Sequence, residues 1–103
     1  MIKVSVLYPA GDNATFNMDY YCKRHMALVQ QRLGAACKRI AVEKGLAGGA
    51  PDTSPSYIAV GHLYFESVGE FQTAFAPHAS ELLGDVPNYT NTKPVIQVSE
   101  VVI

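Results

Sequence analysis

Tyr57-Ile58-Ala59-Val60-Gly61-His62-Leu63-Tyr64-Phe65 decides the fold. The run is rich in β-branched and aromatic residues and is bounded by Pro55-Ser56 and Glu66-Ser67, the composition of a strand between breakers. Side chains alternate along a strand, so Ile58, Val60 and Tyr64 fall to one side and Ala59, Leu63 and Phe65 to the other. A strand apolar on both sides needs a cover on each.

Working outward, Ile2-Lys3-Val4-Ser5-Val6-Leu7-Tyr8 alternates apolar and polar and reads as a first strand. Pro9 to Asn13 is a loop by composition. Asn17 or Asp19 can cap a helix in which Met18, Tyr21, Cys22, His25, Met26, Val29 and Leu33 share one arc at about 100° per residue. Gly34 ends it. Cys37 to Leu46 reads as a second strand, signalled by Ile40 and Val42. Gly45 to Ser56 is a Gly/Pro/Ser-rich loop. Ser67 caps a second helix, with Glu70 at the reciprocal position. Its stripe is Val68, Phe71, Phe75, Ala79, Leu82 and Leu83, and Pro77 predicts a break within it. After a turn-rich loop, Pro94 leads into a last strand, Val95 to Val102.

The order βαββαβ is α+β and ferredoxin-like: a four-stranded antiparallel sheet with both helices on one face. Residues 1–103 make one domain. Helices cover one apolar face of the sheet. A second copy, packed sheet to sheet, would cover the other, so a homodimer is expected.

Composition excludes several classes. The formal net charge is -1 and no basic stripe is present, which argues against nucleic acid. No apolar run approaches the ~20 residues of a membrane span, and the N-terminus lacks signal-peptide architecture. A soluble cytoplasmic protein is the expectation. Cys22 and Cys37 have no metal spacing and read as free thiols. There is no phosphate-binding glycine loop, no paired histidine motif for zinc and no nucleophile elbow.

The polar groups worth weighing are Tyr21, His25, His62 and His78. Tyr21 and His25 are four apart and meet on one helix face. Together they can orient a carbonyl or hydroxyl or pass a proton. The alternative for His25 is a hydrogen-bonded structural residue. Tyr20 falls on the far side of the wheel and reads as a surface or interface phenol. His78 either joins the His25 pocket or pairs with Glu81. His62 follows Gly61, whose lack of a side chain suggests close approach to the sheet. It either meets a ligand or bonds within a packed interface. Tyr8, Tyr57, Tyr64 and Tyr89 read as core or interface aromatics, each needing a partner for its hydroxyl. Asn88-Tyr89-Thr90 reads as a docking loop. Cys22 is expected to be buried and so a poor nucleophile.

Tyr20-Tyr21-x-x-x-His25, Gly61-His62-Leu63, Phe75-x-Pro77-His78-Ala79 and Pro87-Asn88-Tyr89-Thr90-Asn91, taken in order, resemble the EthD family, named for ethyl tert-butyl ether degradation. One departure is Ala27, where many members place a proline after the His-Met pair. The resemblance implies a dimeric α+β barrel with a pocket between helices and sheet in each subunit. It implies an apolar, oxygenated organic ligand, with cofactor-free oxygenation or isomerisation as the reaction, and haem, with His78 as its axial ligand, as an alternative cofactor. A non-catalytic carrier serving a partner oxidase is the competing expectation. His25, Tyr21 and His78 are the catalytic candidates; His62, Tyr64, Phe75 and Met18 are the candidates for contact with the ligand.

Overall fold

The computed structural model describes all residues, 1–103. Four strands, β1 (Ile2–Pro9), β2 (Arg39–Lys44), β3 (Tyr57–Phe65) and β4 (Val95–Glu100), form one antiparallel sheet in the order β2-β3-β1-β4. Two helices complete it, α1 (residues 18–33) and α2 (residues 68–84). The fold is the ferredoxin-like α+β arrangement expected of βαββαβ.

Strand pairing sets the two faces. Val4 lies opposite Leu63, Val6 opposite Gly61, and Tyr8 opposite Ala59 on β1 and β3. Val6 also faces Ile96 across β4. This row of side chains points at the helices and carries most of the buried core, with Ala59 and Phe65 fully enclosed. The other face holds Leu7, Ile58, Val60 and Tyr64, but also Lys3, Ser5, Arg39, Glu43 and His62. It is therefore mixed rather than apolar.

Two strand ends fall short of expectation. β2 covers Arg39–Lys44, because Cys37 closes a tight turn over Gly34–Ala36. β4 stops at Glu100, whose partner is Ile2, the first residue of β1. Beyond it one further bond forms, from the Val101 N–H to the Met1 carbonyl at 3.0 Å, and Val101 and Val102 are both exposed.

α1 begins where Asn17 caps it, its side-chain oxygen accepting from the Tyr20 N–H at 3.0 Å. Over Tyr21–His25 the helix widens into a π-turn, with the Met26 N–H reaching the Tyr21 carbonyl. The wide turn adds one residue, so the inward arc before it lags the arc after it by about 100°. This lag corrects two expectations. Cys22 is exposed rather than buried, and Tyr20 is brought round to a half-buried position. Gly34 ends the helix with φ of 60°, a conformation that suits glycine.

In α2 the Ser67 hydroxyl accepts from the Glu70 N–H at 3.1 Å. The break expected at Pro77 is a 3₁₀ turn over Ala76–His78. Its tighter winding turns the last segment, leaving Leu82 buried and Leu83 exposed. Val68, in the first turn, is exposed as well. No helix is long and apolar enough to cross a membrane.

Candidate functional site

Between the two helices and the sheet lies a cavity of about 100 Å³. A cavity of ~150 Å³ can hold benzene, so this one suits a small compact group. Fourteen of the seventeen residues lining it are hydrophobic, and none is Lys, Arg, Asp or Glu. Its polar end is a nest of aromatic rings.

Tyr21, from the π-turn, brings the hydroxyl end of its phenol down onto the sheet at Gly61. A Cβ at Gly61 would collide with the Tyr21 hydroxyl, so the absent side chain makes room for the ring. The His25 ring stacks on Tyr21, with centroids 5.4 Å apart and planes 14° apart. Tyr89 packs against both. The Tyr8 and Tyr89 hydroxyls share a hydrogen bond of 2.6 Å. Burial pushes the Tyr8, Tyr21 and Tyr89 phenols well above their ordinary value, so they stay protonated at physiological pH.

His25 is oriented from behind. Its Nδ1 lies 2.9 Å from Asp85 Oδ2. Asp85 Oδ1 in turn accepts from the Tyr20 hydroxyl at 2.7 Å and the Asn88 amide at 2.8 Å. Partial burial works against the Asp85 charge, yet the donors from Asn88, His25 and Tyr20 hold the carboxyl below its usual range. Burial pushes the His25 imidazole below its ordinary value, and Asp85 offsets this only in part. At neutral pH the pair is therefore a neutral imidazole and a carboxylate. Nδ1 donates to Asp85, which leaves the Nε2 lone pair free to accept.

Of the residues named from the sequence, Tyr21, His25 and Phe75 line this cavity together. Met18 is half-buried against the core beside it and does not line it. His62 and Tyr64 lie on the opposite face of the sheet, because each is an odd number of residues from the inward-facing Gly61, Leu63 and Phe65. There His62 Nδ1 pairs with the Ser5 hydroxyl at 3.2 Å and Nε2 with Glu43 at 3.0 Å. Tyr64 receives the Arg39 guanidinium over its ring. His78 sits outside the cavity in the 3₁₀ turn, near the Glu81 carboxylate that Arg32 holds in a two-pronged pair. His25 and His78 thus do not share a pocket. No group of three or more His, Cys, Asp or Glu is placed to hold a metal.

Asp85 and the parts played by Tyr20, Tyr8 and Tyr89 do not show in the sequence. Asp85 reads as an ordinary turn residue between Gly84 and Pro87. The usable signal is indirect: a buried imidazole needs a partner, and the nearby Asn88-Tyr89-Thr90 loop is the segment that docks. It docks on the start of α1, where the Asn17 N–H donates to the Tyr89 carbonyl at 2.7 Å and the Thr90 hydroxyl to the Thr15 carbonyl at 2.7 Å.

The fold and site define a ferredoxin-like α+β domain with an internal apolar cavity and a His–Asp pair at its polar end. The EthD domain matches residues 12–93, and the chain belongs to the EthD family. A crystal structure of an EthD-like protein from Ralstonia eutropha JMP134 superposes with a TM-score of 0.94 at 47% identity, covering 99% of this chain and 92% of that one. An uncharacterized 11.0 kDa protein from Rhodococcus erythropolis is 36% identical over 94 residues, 88% of this chain and 85% of the relative. An ethyl tert-butyl ether (EthD) family protein from Bacillus halodurans C-125 shares the fold, with a TM-score of 0.67 at 13% identity and 98% coverage of each chain.

Proposed function

We propose that the cavity binds a small apolar molecule bearing a carbonyl or hydroxyl group and that His25 acts on it as a general base. The observation that carries this is the His25–Asp85 bond, which fixes the tautomer and leaves Nε2 as an acceptor beside an apolar space. The Tyr21 phenol, protonated and adjacent, donates to the oxygen on which charge builds. A proton taken by Nε2 from the carbon next to the carbonyl, with the electron pair moving to the oxygen, gives an enolate held by the Tyr21 hydroxyl; in a β,γ-unsaturated ketone the charge extends over the double bond, and return of the proton from Nε2 to its far carbon completes an isomerisation. Oxygenation without a cofactor would begin with the same proton transfer and would add molecular oxygen. An ether-degrading or related catabolic role fits the name carried by the Bacillus halodurans relative.

The competing reading is a carrier, favoured by how little of the lining is polar. Hydrogen–deuterium exchange next to the carbonyl of cavity-binding ketones, followed by NMR in D₂O, separates the two. Wild type should accelerate exchange, and His25→Gln should lose about 10²–10⁴-fold while still binding. Binding without any exchange by wild type would leave the carrier.

The protein is further proposed to work in the cytoplasm as a homodimer joined through the outer sheet face. Leu7, Val60 and Val95 would be covered, with the His62–Glu43 pair among them. A monomer by sizing at micromolar concentration would contradict this.

A further inference from the structure

We infer that the cavity selects uncharged ligands, binds them polar end first, and lets an apolar tail leave between Leu83 and Ile96. This rests on the reading of the cavity as a ligand site and holds for an enzyme or a carrier.

The selection against anions follows from charge. No lining residue is cationic. The His25 imidazole is kept neutral, and directly behind it stands the Asp85 carboxylate, 2.9 Å from Nδ1. A carboxylate or phosphate placed against Nε2 would lose water and meet one buried negative charge across the ring, with nothing positive to offset either cost. A ketone or hydroxyl carries no such cost and finds the Tyr21 hydroxyl as a donor.

The orientation follows from the strand rows that floor the cavity. Tyr8 and Gly61, at one end, hold the phenols and His25. Val4 and Leu63 lie about two rows further on, roughly 7–13 Å along the sheet at 3.3–3.4 Å per residue. Phe71 and Phe75 stack above that end, 5.3 Å apart, and no ionisable group joins them in the lining.

The exit follows from exposure. Leu83 and Ile96 line the cavity yet are 46% and 45% exposed, where the rest of its wall is buried or half-buried. Ile96 is on β4, whose helix-facing side α1 and α2 leave uncovered. The wall is therefore open at this side, and a chain longer than the cavity can extend through it.

The test uses two matched series, the 2-alkanones from pentanone to nonanone and the straight-chain carboxylates from pentanoate to nonanoate. Binding is measured by titration calorimetry at pH 8, where the acids are fully ionised. The ketones should tighten about fourfold per methylene while the tail is still inside, then level off once it reaches the mouth. Each carboxylate should bind on the order of 100-fold more weakly than its ketone. Leu83→Trp and Ile96→Trp, both at exposed positions, should weaken nonanone at least tenfold more than they weaken pentanone.

Carboxylates that bind as tightly as ketones would overturn the selection. An equal loss for pentanone and nonanone in the tryptophan variants would overturn the orientation. Failure of both series to bind would overturn the whole inference. These outcomes are distinct from failure of the base reading: an absence of proton exchange in wild type, with the ketone series binding as described, removes catalysis and leaves the selectivity standing.

Discussion

Gly61→Ala tests the architecture of the site most directly. The added methyl would occupy the position of the Tyr21 hydroxyl, with the next ring carbon at 3.3 Å. Tyr21 is 2% exposed and wedged between Tyr8, Phe16 and His25, so its ring cannot move aside freely. Inserting a methyl into such packing costs about 1–3 kcal/mol. In a domain of 103 residues each kcal/mol lowers Tm by about 4–5 °C, so the variant should melt roughly 5–14 °C below wild type. Tyr21→Phe removes the colliding oxygen and leaves only the tight ring-carbon contact. In that background Gly61→Ala should cost less than about 1 kcal/mol, a coupling of on the order of 1–2 kcal/mol by thermal and urea unfolding of the four proteins. An equal cost of Gly61→Ala in both backgrounds would show that Tyr21 does not lie on Gly61, and the placement of the polar end would fall with it.

Three further outcomes follow from the same geometry. The unfolded imidazole of His25 takes its proton near pH 6.5 and the folded one only at lower pH, so the unfolded state binds more protons as pH falls through that value. Wild-type stability should therefore drop between pH 7.5 and 5.5 more steeply than that of His25→Gln, measured by urea unfolding at both pH values; parallel slopes would contradict a depressed His25. Tyr8→Phe should cost about 1 kcal/mol by leaving the Tyr89 hydroxyl without its 2.6 Å partner, and adding Tyr89→Phe should cost less than the second substitution does alone. In the native protein Cys22, exposed by the π-turn, should react with a thiol reagent well before Cys37, which is half-buried and whose thiol burial pushes up; the reverse order would place Cys22 back on the inner face.

The fold was legible because two periods are clear in the chain. Alternation in Ile2 to Tyr8 and Tyr57 to Phe65 gives the central pair of strands, and capping by Asn17 and Ser67 marks both helix starts. The Tyr21–His25 pair was legible from its spacing alone. What was hidden depends on departures from a regular helix. The extra residue in the Tyr21–His25 turn shifts the wheel, and counting at a constant 100° places Cys22 and Tyr20 on the wrong sides. His62 and Tyr64 fall away from the cavity by strand parity, which is readable once Gly61 is known to face inward. Asp85 could not be found by local pattern, since it meets His25 from 60 positions further along the chain.

The ring nest at the polar end has a consequence for observing the protein. The chain has no tryptophan and six tyrosines. Three of the six, Tyr8, Tyr21 and Tyr89, line the cavity. Its near-ultraviolet dichroism and its intrinsic emission are therefore tyrosine signals weighted toward the cavity wall. A colourless ligand settling beside Tyr21 should change both spectra without any label, so the residues proposed to do the chemistry also report when the space beside them is filled.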